Sequence, residues 1–155
     1  MKTELTTMVM IQDPETGQVL VQDRKLSWKG LSFPGGHVDE NESFHDCAVR
    51  EILEETGLRI RGLTPCGIIH WNNSDTQDKY LVFLYKTTTF SGELITEMEE
   101  GSHFWMDIDK LRDALGESSA NSFENYLPMF LGDHYIEGFG PWSKNEVYPR
   151  PLIYH

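Results

Sequence analysis

Three glutamates, Glu51, Glu54 and Glu55, stand at i, i+3 and i+4 within the stretch Gly36 to Leu58, which reads GHVDENESFHDCAVREILEETGL. On an α-helix that spacing projects all three side chains from one face, within about 100° of arc. Clustered, partly desolvated carboxylates repel one another and must protonate, find basic partners or hold cations. Hard oxygen donors at this density suit Mg²⁺, with Mn²⁺ as the alternative. Phe44, Cys47 and Ala48, one turn earlier, have the character of core-facing residues, so the charges continue an inward stripe. Arg50 lies four residues from both Asp46 and Glu54, where it can bridge two acids and brace the metal face.

The flanking residues supply the helix. Ser43 is placed to cap its N-terminus, with Asp46 at N3 as in a capping box, and Gly57 stands where a left-handed residue ends it. Upstream, Phe33-Pro34-Gly35-Gly36 reads as a turn whose two glycines let backbone approach the helix or a ligand closely. Glu42 stands just before the helix.

Gly36, five residues, Glu42, seven residues, Arg50-Glu51-Ile52, one residue, Glu54-Glu55, one residue and Gly57-Leu58 occupy every fixed position of the Nudix box. The chain therefore resembles a MutT-like Nudix hydrolase. Seven fixed identities at about 5 to 7% each give roughly 10⁻⁶ as the chance of an accidental match over a chain of this length, so coincidence is set aside.

The resemblance implies a Nudix α/β/α sandwich with a mixed β-sheet, where periodicity alone reaches only α/β or α+β. It also implies water attacking a nucleoside diphosphate-linked substrate, with divalent metal between the acidic helix and the phosphates. Glu51, Glu54 and Glu55 become metal ligands, with the Gly36 carbonyl as a further oxygen. In the family an acid before a late strand commonly completes the metal site, which points to Glu100, with Glu99 as the alternate. Either Glu51 or Glu100 can serve as the base. Arg50 orients the catalytic helix, and Glu42 its loop.

At 155 residues the chain suits a single Nudix domain over 1–155, with the box at 36–58. No apolar run approaches the ~20 residues of a membrane span. Met1-Lys2-Thr3-Glu4 lacks the apolar core of a signal peptide, so a soluble cytoplasmic protein is expected, as a monomer or homodimer. Cys47 and Cys66 are too few for a disulfide framework and read as reduced, packed residues. A formal net charge of −12 repels a phosphate polymer and a nucleic-acid partner is not expected, whereas metals can neutralise a small nucleotide locally.

Along the chain, Thr6 to Ile11 and Val19 to Gln22 are strand-like runs around the turn Asp13-Pro14-Glu15-Thr16-Gly17, predicting a hairpin or neighbouring strands. Arg24-Lys25, Trp28 and Lys29 form a basic patch with two readings, ordinary loop charge or a cation that meets substrate phosphates beside an aromatic rim. Gly67-Ile68-Ile69 and Tyr80 to Tyr85 predict central strands, with His70 and Trp71 at a strand end. Phe104-Trp105-Met106 predicts another strand, and Asp107 to Leu115 a helix. Gly116 to Ser122 reads as loop, and Phe123 to Leu131 as a helix with Pro128 in its first turn. Asn125 offers donors and an acceptor that match a purine edge, and MutT-like enzymes use a late asparagine to read an oxidised guanine. The non-helical tail after Asp133, with Tyr135, Phe139, Trp142, Tyr148 and Tyr154, can pack over the sheet, line a pocket or join two copies.

The short domain and Asn125 favour a nucleoside triphosphate, 8-oxo-dGTP first, cleaved to monophosphate and pyrophosphate in nucleotide-pool sanitation. ADP-ribose or another sugar nucleotide is the alternative substrate, and a non-catalytic nucleotide-sensing module the alternative of another class. The intact acidic positions argue against the latter.

Overall fold

Alternating side chains along β-rich segments set the layers. The computed structural model describes residues 1–117, 123–132, 134–145 and 152–155. Ser118 to Ser122 of the predicted loop, Asp133 and Tyr148 lie outside the described residues. The chain runs β1 (Thr3–Ile11), β2 (Val19–Arg24), β3 (Gly30–Ser32), β4 (Gly35–His37), α1 (Phe44–Thr56), β5 (Arg59–Arg61), β6 (Thr64–Asn73) and β7 (Lys79–Thr87). It continues through β8 (Thr89–Ser91), β9 (Gly101–Met106), α2 (Ile108–Glu117), a 3-10 turn at Phe123–Asn125, α3 (Leu127–Leu131), β10 (Glu137–Trp142) and β11 (Ile153–Tyr154).

The main sheet is mixed, in the order β11-β10-β6-β7-β1-β4, with β1 parallel to β7 and β6 antiparallel to β7. The period of two sends Val9 and Ile11 to one face, against Ala48, Ile52 and Leu58, and Met10 with Val82 and Leu84 to the other, in one cluster with Leu111, Phe123 and Phe130. Helix α1 therefore covers one face and α2 and α3 the other, giving the expected α/β/α sandwich around a mixed sheet.

The Asp13 to Gly17 turn forms, with Gly17 at φ 76° and its N–H on the Asp13 carbonyl at 2.8 Å. The expected hairpin does not extend beyond the single Gln12–Val19 bridge. Strand β2 instead lies between β3 and β9 in a second sheet. Its two faces are both apolar: Val19 and Val21 join one core cluster and Leu20 the other. A strand apolar on both sides is more stable wedged between the layers than at a sheet's rim.

The predicted Phe123 to Leu131 helix divides into the 3-10 turn and α3, with Pro128 in the first turn of α3. The tail supplies edge strands: β10 runs parallel to β6, and β11 pairs with β10. Gly140 is obligatory there, because a Cβ would enter the Trp71 ring. No described helix is long and apolar enough to cross a membrane.

Candidate active site

Local sequence sets the acidic helix in place. The Ser43 hydroxyl accepts the Asp46 N–H at 3.0 Å, and at the other end Gly57, at φ 79°, donates to the Leu53 carbonyl. Gly35 and Gly36 do not form the expected turn. They belong to β4, antiparallel to β1 with Gly36 opposite Thr7. Their role is close approach: a Cβ on Gly36 would overlap the carboxyl group of Glu51, and one on Gly35 the Thr7 carbonyl.

Arg50 organises one edge of α1. Its Nε and Nη2 form a fork on the Glu42 carboxylate at 2.7 and 2.9 Å. Nη1 donates to Glu51 Oε1 at 3.0 Å and Glu54 Oε2 at 3.1 Å, and Nη2 also reaches the His37 carbonyl at 3.0 Å. Asp46 is not part of this web, and its carboxylate faces His45 Nδ1 instead. The Arg50 hydrogen bonds, with the Asp39 N–H second, hold the Glu42 carboxyl down at about 2. The side chains of Glu42 and Glu51 are 14% and 15% exposed against 58% for Glu54, so Glu54 is the water-facing member.

Glu55 faces the other way. It accepts the Gly35 N–H, while its Oε2 is buried and has no hydrogen-bond partner. Burial, then the charge of Glu51, pushes its carboxyl up to about 7; the Gly35 N–H and Arg24 oppose that shift and Glu100 adds to it. Burial also raises Glu51, against the pull of Arg50.

These donors suit a hard dication: every one is oxygen, and a cation supplies the partner that the buried Glu55 oxygen lacks. As they stand, no three His, Cys, Asp or Glu side chains among the described residues form a group able to hold an ion. Arg50 binds Glu51 and Glu54, whereas Glu55 turns towards Gly35.

Glu100 is exposed, its charge bears on Glu55, and its carbonyl accepts the Lys25 N–H at 2.9 Å. Glu99 is also exposed, and Glu97 pairs with Lys25. Arg24 donates to the Ser27 carbonyl at 3.0 Å, and its charge acts on both Glu55 and Tyr126. Trp28, between β2 and β3, is 72% exposed at φ 51°. Asn125 lies in the 3-10 turn, its carbonyl accepting from the Tyr154 hydroxyl at 2.6 Å.

His70 and Trp71 are inside β6 and not at its end, so they point to opposite faces. Trp71 donates to the buried Tyr126 hydroxyl at 2.7 Å, and His70 packs on Phe139. Sequence reasoning passed over Gln22, Ser32 and His103, polar residues buried near α1. Their signal was a polar residue at an inward position of a strand. An open cavity of about 510 Å³, lined by Arg112, Leu115, Glu124, Leu127, Pro128 and Tyr135 among others, contains no residue of α1.

Residues 2–126 match the NUDIX domain. The chain is 31% identical to the oxidized purine nucleoside triphosphate hydrolase of Danio rerio over 114 residues, 70% of this chain and 69% of that protein. It is 26% identical over 136 residues to a Nudix hydrolase of Bacillus subtilis, covering 86% of this chain and 76% of that one. Among solved structures, the mutator MutT protein from Bacillus halodurans superposes with a TM-score of 0.72 at 22% identity, over 98% of this chain and 96% of that one. That likeness concerns the fold.

Proposed function

The chain belongs to the NUDIX family and is a hydrolase of nucleoside diphosphate-linked substrates, and from that premise we propose that it cleaves an oxidised purine nucleoside triphosphate, 8-oxo-dGTP first, to the monophosphate and pyrophosphate. The observation that carries the reading is Glu55, a buried carboxylate with an unpartnered oxygen beside Glu51 on the family's acidic helix. Such a group requires a cation or a proton.

We assign Mg²⁺, or Mn²⁺, to the Gly36 carbonyl, Glu51, Glu54, Glu55 and Glu100. When bound it neutralises phosphate oxygens and activates water. In the cleavage, water oxygen adds to phosphorus as the bridging P–O bond between the α and β phosphates breaks. One proton passes to a carboxylate, and the departing phosphate oxygen is protonated from solvent. Glu51 is our candidate for that base, because burial raises its carboxyl above the ordinary range and makes it a better proton acceptor, with Glu100 as the alternate. Arg50 orients Glu51 and Glu54.

Arg24, Trp28 and Asn125 are our assignments for substrate selection. The names of the Danio rerio and Mus musculus relatives, both oxidized purine nucleoside triphosphate hydrolases, support that class. We place the enzyme in the cytoplasm, acting on small nucleotides in pool sanitation.

Glu54→Gln keeps the size of the side chain and removes its charge. It is expected to lower Mg²⁺-dependent pyrophosphate release by on the order of 10²-fold or more, several kcal/mol of charge stabilisation, with an unchanged circular dichroism spectrum. Equal turnover by variant and parent overturns the metal assignment. The substrate is tested by kcat/KM across 8-oxo-dGTP, unmodified dNTPs, ADP-ribose and dinucleoside polyphosphates. Preference for ADP-ribose overturns the triphosphate reading, and no hydrolysis of any of them favours a sensing module.

A further inference from the structure

Strand β2 alternates Leu20, Gln22 and Arg24 on one face. Leu20 packs with Ala48, Ile52 and Leu58, so this face looks towards α1. The strand register sets Ser32 and His103 on either side of Gln22, in one row across the second sheet. All three are buried, at 4%, 2% and 5% exposure for Ser32, His103 and Gln22. Apolar residues would be the ordinary choice at such positions.

His103 has two ends with different surroundings. The Ile95 carbonyl can only accept, so the 3.0 Å contact with Nδ1 places the ring hydrogen there. The Ile95 N–H donates in turn to the Thr56 carbonyl at 2.8 Å, in the last turn of α1. The His103 N–H also donates to the Thr96 carbonyl at 2.8 Å. Through these bonds His103 ties the segment that carries Glu97 and Glu100 to the end of the acidic helix. Its other nitrogen, Nε2, is buried and unpartnered, as are Ser32 Oγ and Glu55 Oε2. These three orphaned polar atoms belong to residues of the β3-β2-β9 sheet and of the helix turned towards it.

We infer that His103 is a positioning residue for the metal site: its Nδ1–H and its backbone N–H hold the Ile95–Thr96 start of the segment that carries Glu100, which Ile95 in turn bonds to the end of α1. The inference rests on the metal-dependent reading above and names the chain's own support for it. Removing such an outer support costs about 10- to 100-fold in metal affinity or activity.

Asparagine and glutamine separate the two ends, since an asparagine amide reaches the place of Nδ1 and a glutamine amide that of Nε2. His103→Gln, which leaves the Ile95 carbonyl without its donor, is expected to stay folded while Mn²⁺ affinity, measured by electron paramagnetic resonance of the free ion, falls about tenfold. Its kcat falls in parallel, with KM changed less than about twofold, and His103→Asn, which keeps a donor at the place of Nδ1, recovers to within about threefold of the parent. Parental Mn²⁺ affinity and kcat in a folded His103→Gln overturn the inference. If that variant does not fold, His103→Asn decides: Mn²⁺ affinity within about threefold of the parent is expected, and a fall of about tenfold overturns it. A parent that binds Mn²⁺ but hydrolyses no nucleotide refutes the proposed function and leaves the ion count to judge His103 separately.

Discussion

The acidic edge of α1 and the aromatic side around Tyr126 are built by different means. On the acidic edge, Glu42, Arg50, Glu51 and Glu54 lie within thirteen consecutive residues and hold one another through charged hydrogen bonds of 2.7 to 3.1 Å. On the aromatic side, Trp71 meets Tyr126 across 55 residues and Tyr154 meets Asn125 across 29. The first region is a product of helix spacing, and the second of sheet topology. The cleavage chemistry proposed for the first can therefore stay fixed while the second, proposed to help select the substrate, is rebuilt by changes in strands and loops.

The largest effect that probes this contrast is expected at Gly36. In Gly36→Ala the new methyl group meets the Glu51 carboxylate, which must leave its place beside β4. A displacement of that kind costs on the order of 10² in kcat. The melting temperature falls as well, because the crowded atoms are otherwise well packed. Steady-state kinetics check the first expectation. A variant with parental kcat shows that Glu51 is free to work from another position, and the acidic edge is then no more rigid than the aromatic side.

Glu55 gives the next effect, and it separates the two flanks of the helix itself. Its folded pKa, about 7, lies above the ordinary value of 4.5, so the folded state binds the proton more tightly than the unfolded chain. Stability of the metal-free protein then falls as pH rises from about 4.5 to about 7, and the loss is complete above that. Glu55→Gln removes this dependence, and at pH 8 it is expected to be more stable than the metal-free parent by on the order of 1–3 kcal/mol. Urea titrations at pH 4.5 and pH 8 measure it. Identical pH dependence in the two proteins contradicts the account of Glu55 as a buried acid awaiting a cation.

The same contrast explains what the sequence could tell. Helix α1, its caps and Arg50 as a bridge follow from spacings of three and four residues, and they form as read. Asp46 was a wrong partner because helix spacing is silent about Glu42, which reaches Arg50 from the preceding loop. The six-stranded sheet was legible as separate strands. That β1 and β2 part at Gln12, and that the tail returns beside β6, depends on long-range burial, which a single sequence encodes only through the doubly apolar faces of β2 and through Gly138 and Gly140. His103 was passed over for the same reason: its partners are the carbonyls of Ile95 and Thr96, eight and seven residues away, and it reaches the end of α1 only through the Ile95 N–H.

Trp28 provides the smallest test and the one that bears on the selecting side alone. The residue is 72% exposed and adopts φ 51°, a conformation that asparagine tolerates better than an aromatic residue does. As a turn residue only, it loses nothing in Trp28→Asn, and the protein gains a few tenths of a kcal/mol, or about 1 at most, from relief of backbone strain. As a rim for the base, it also loses a stacking surface, and KM for the preferred triphosphate rises about three- to tenfold at constant kcat. Both quantities come from one preparation, by urea titration and initial rates. A rise in KM with kcat intact assigns Trp28 to selection and confirms the division between a local chemical edge and a separate selecting side. A fall in kcat at constant KM joins the two, because it means that the β2–β3 loop acts on the reacting phosphates through Arg24, whose charge already reaches Glu55.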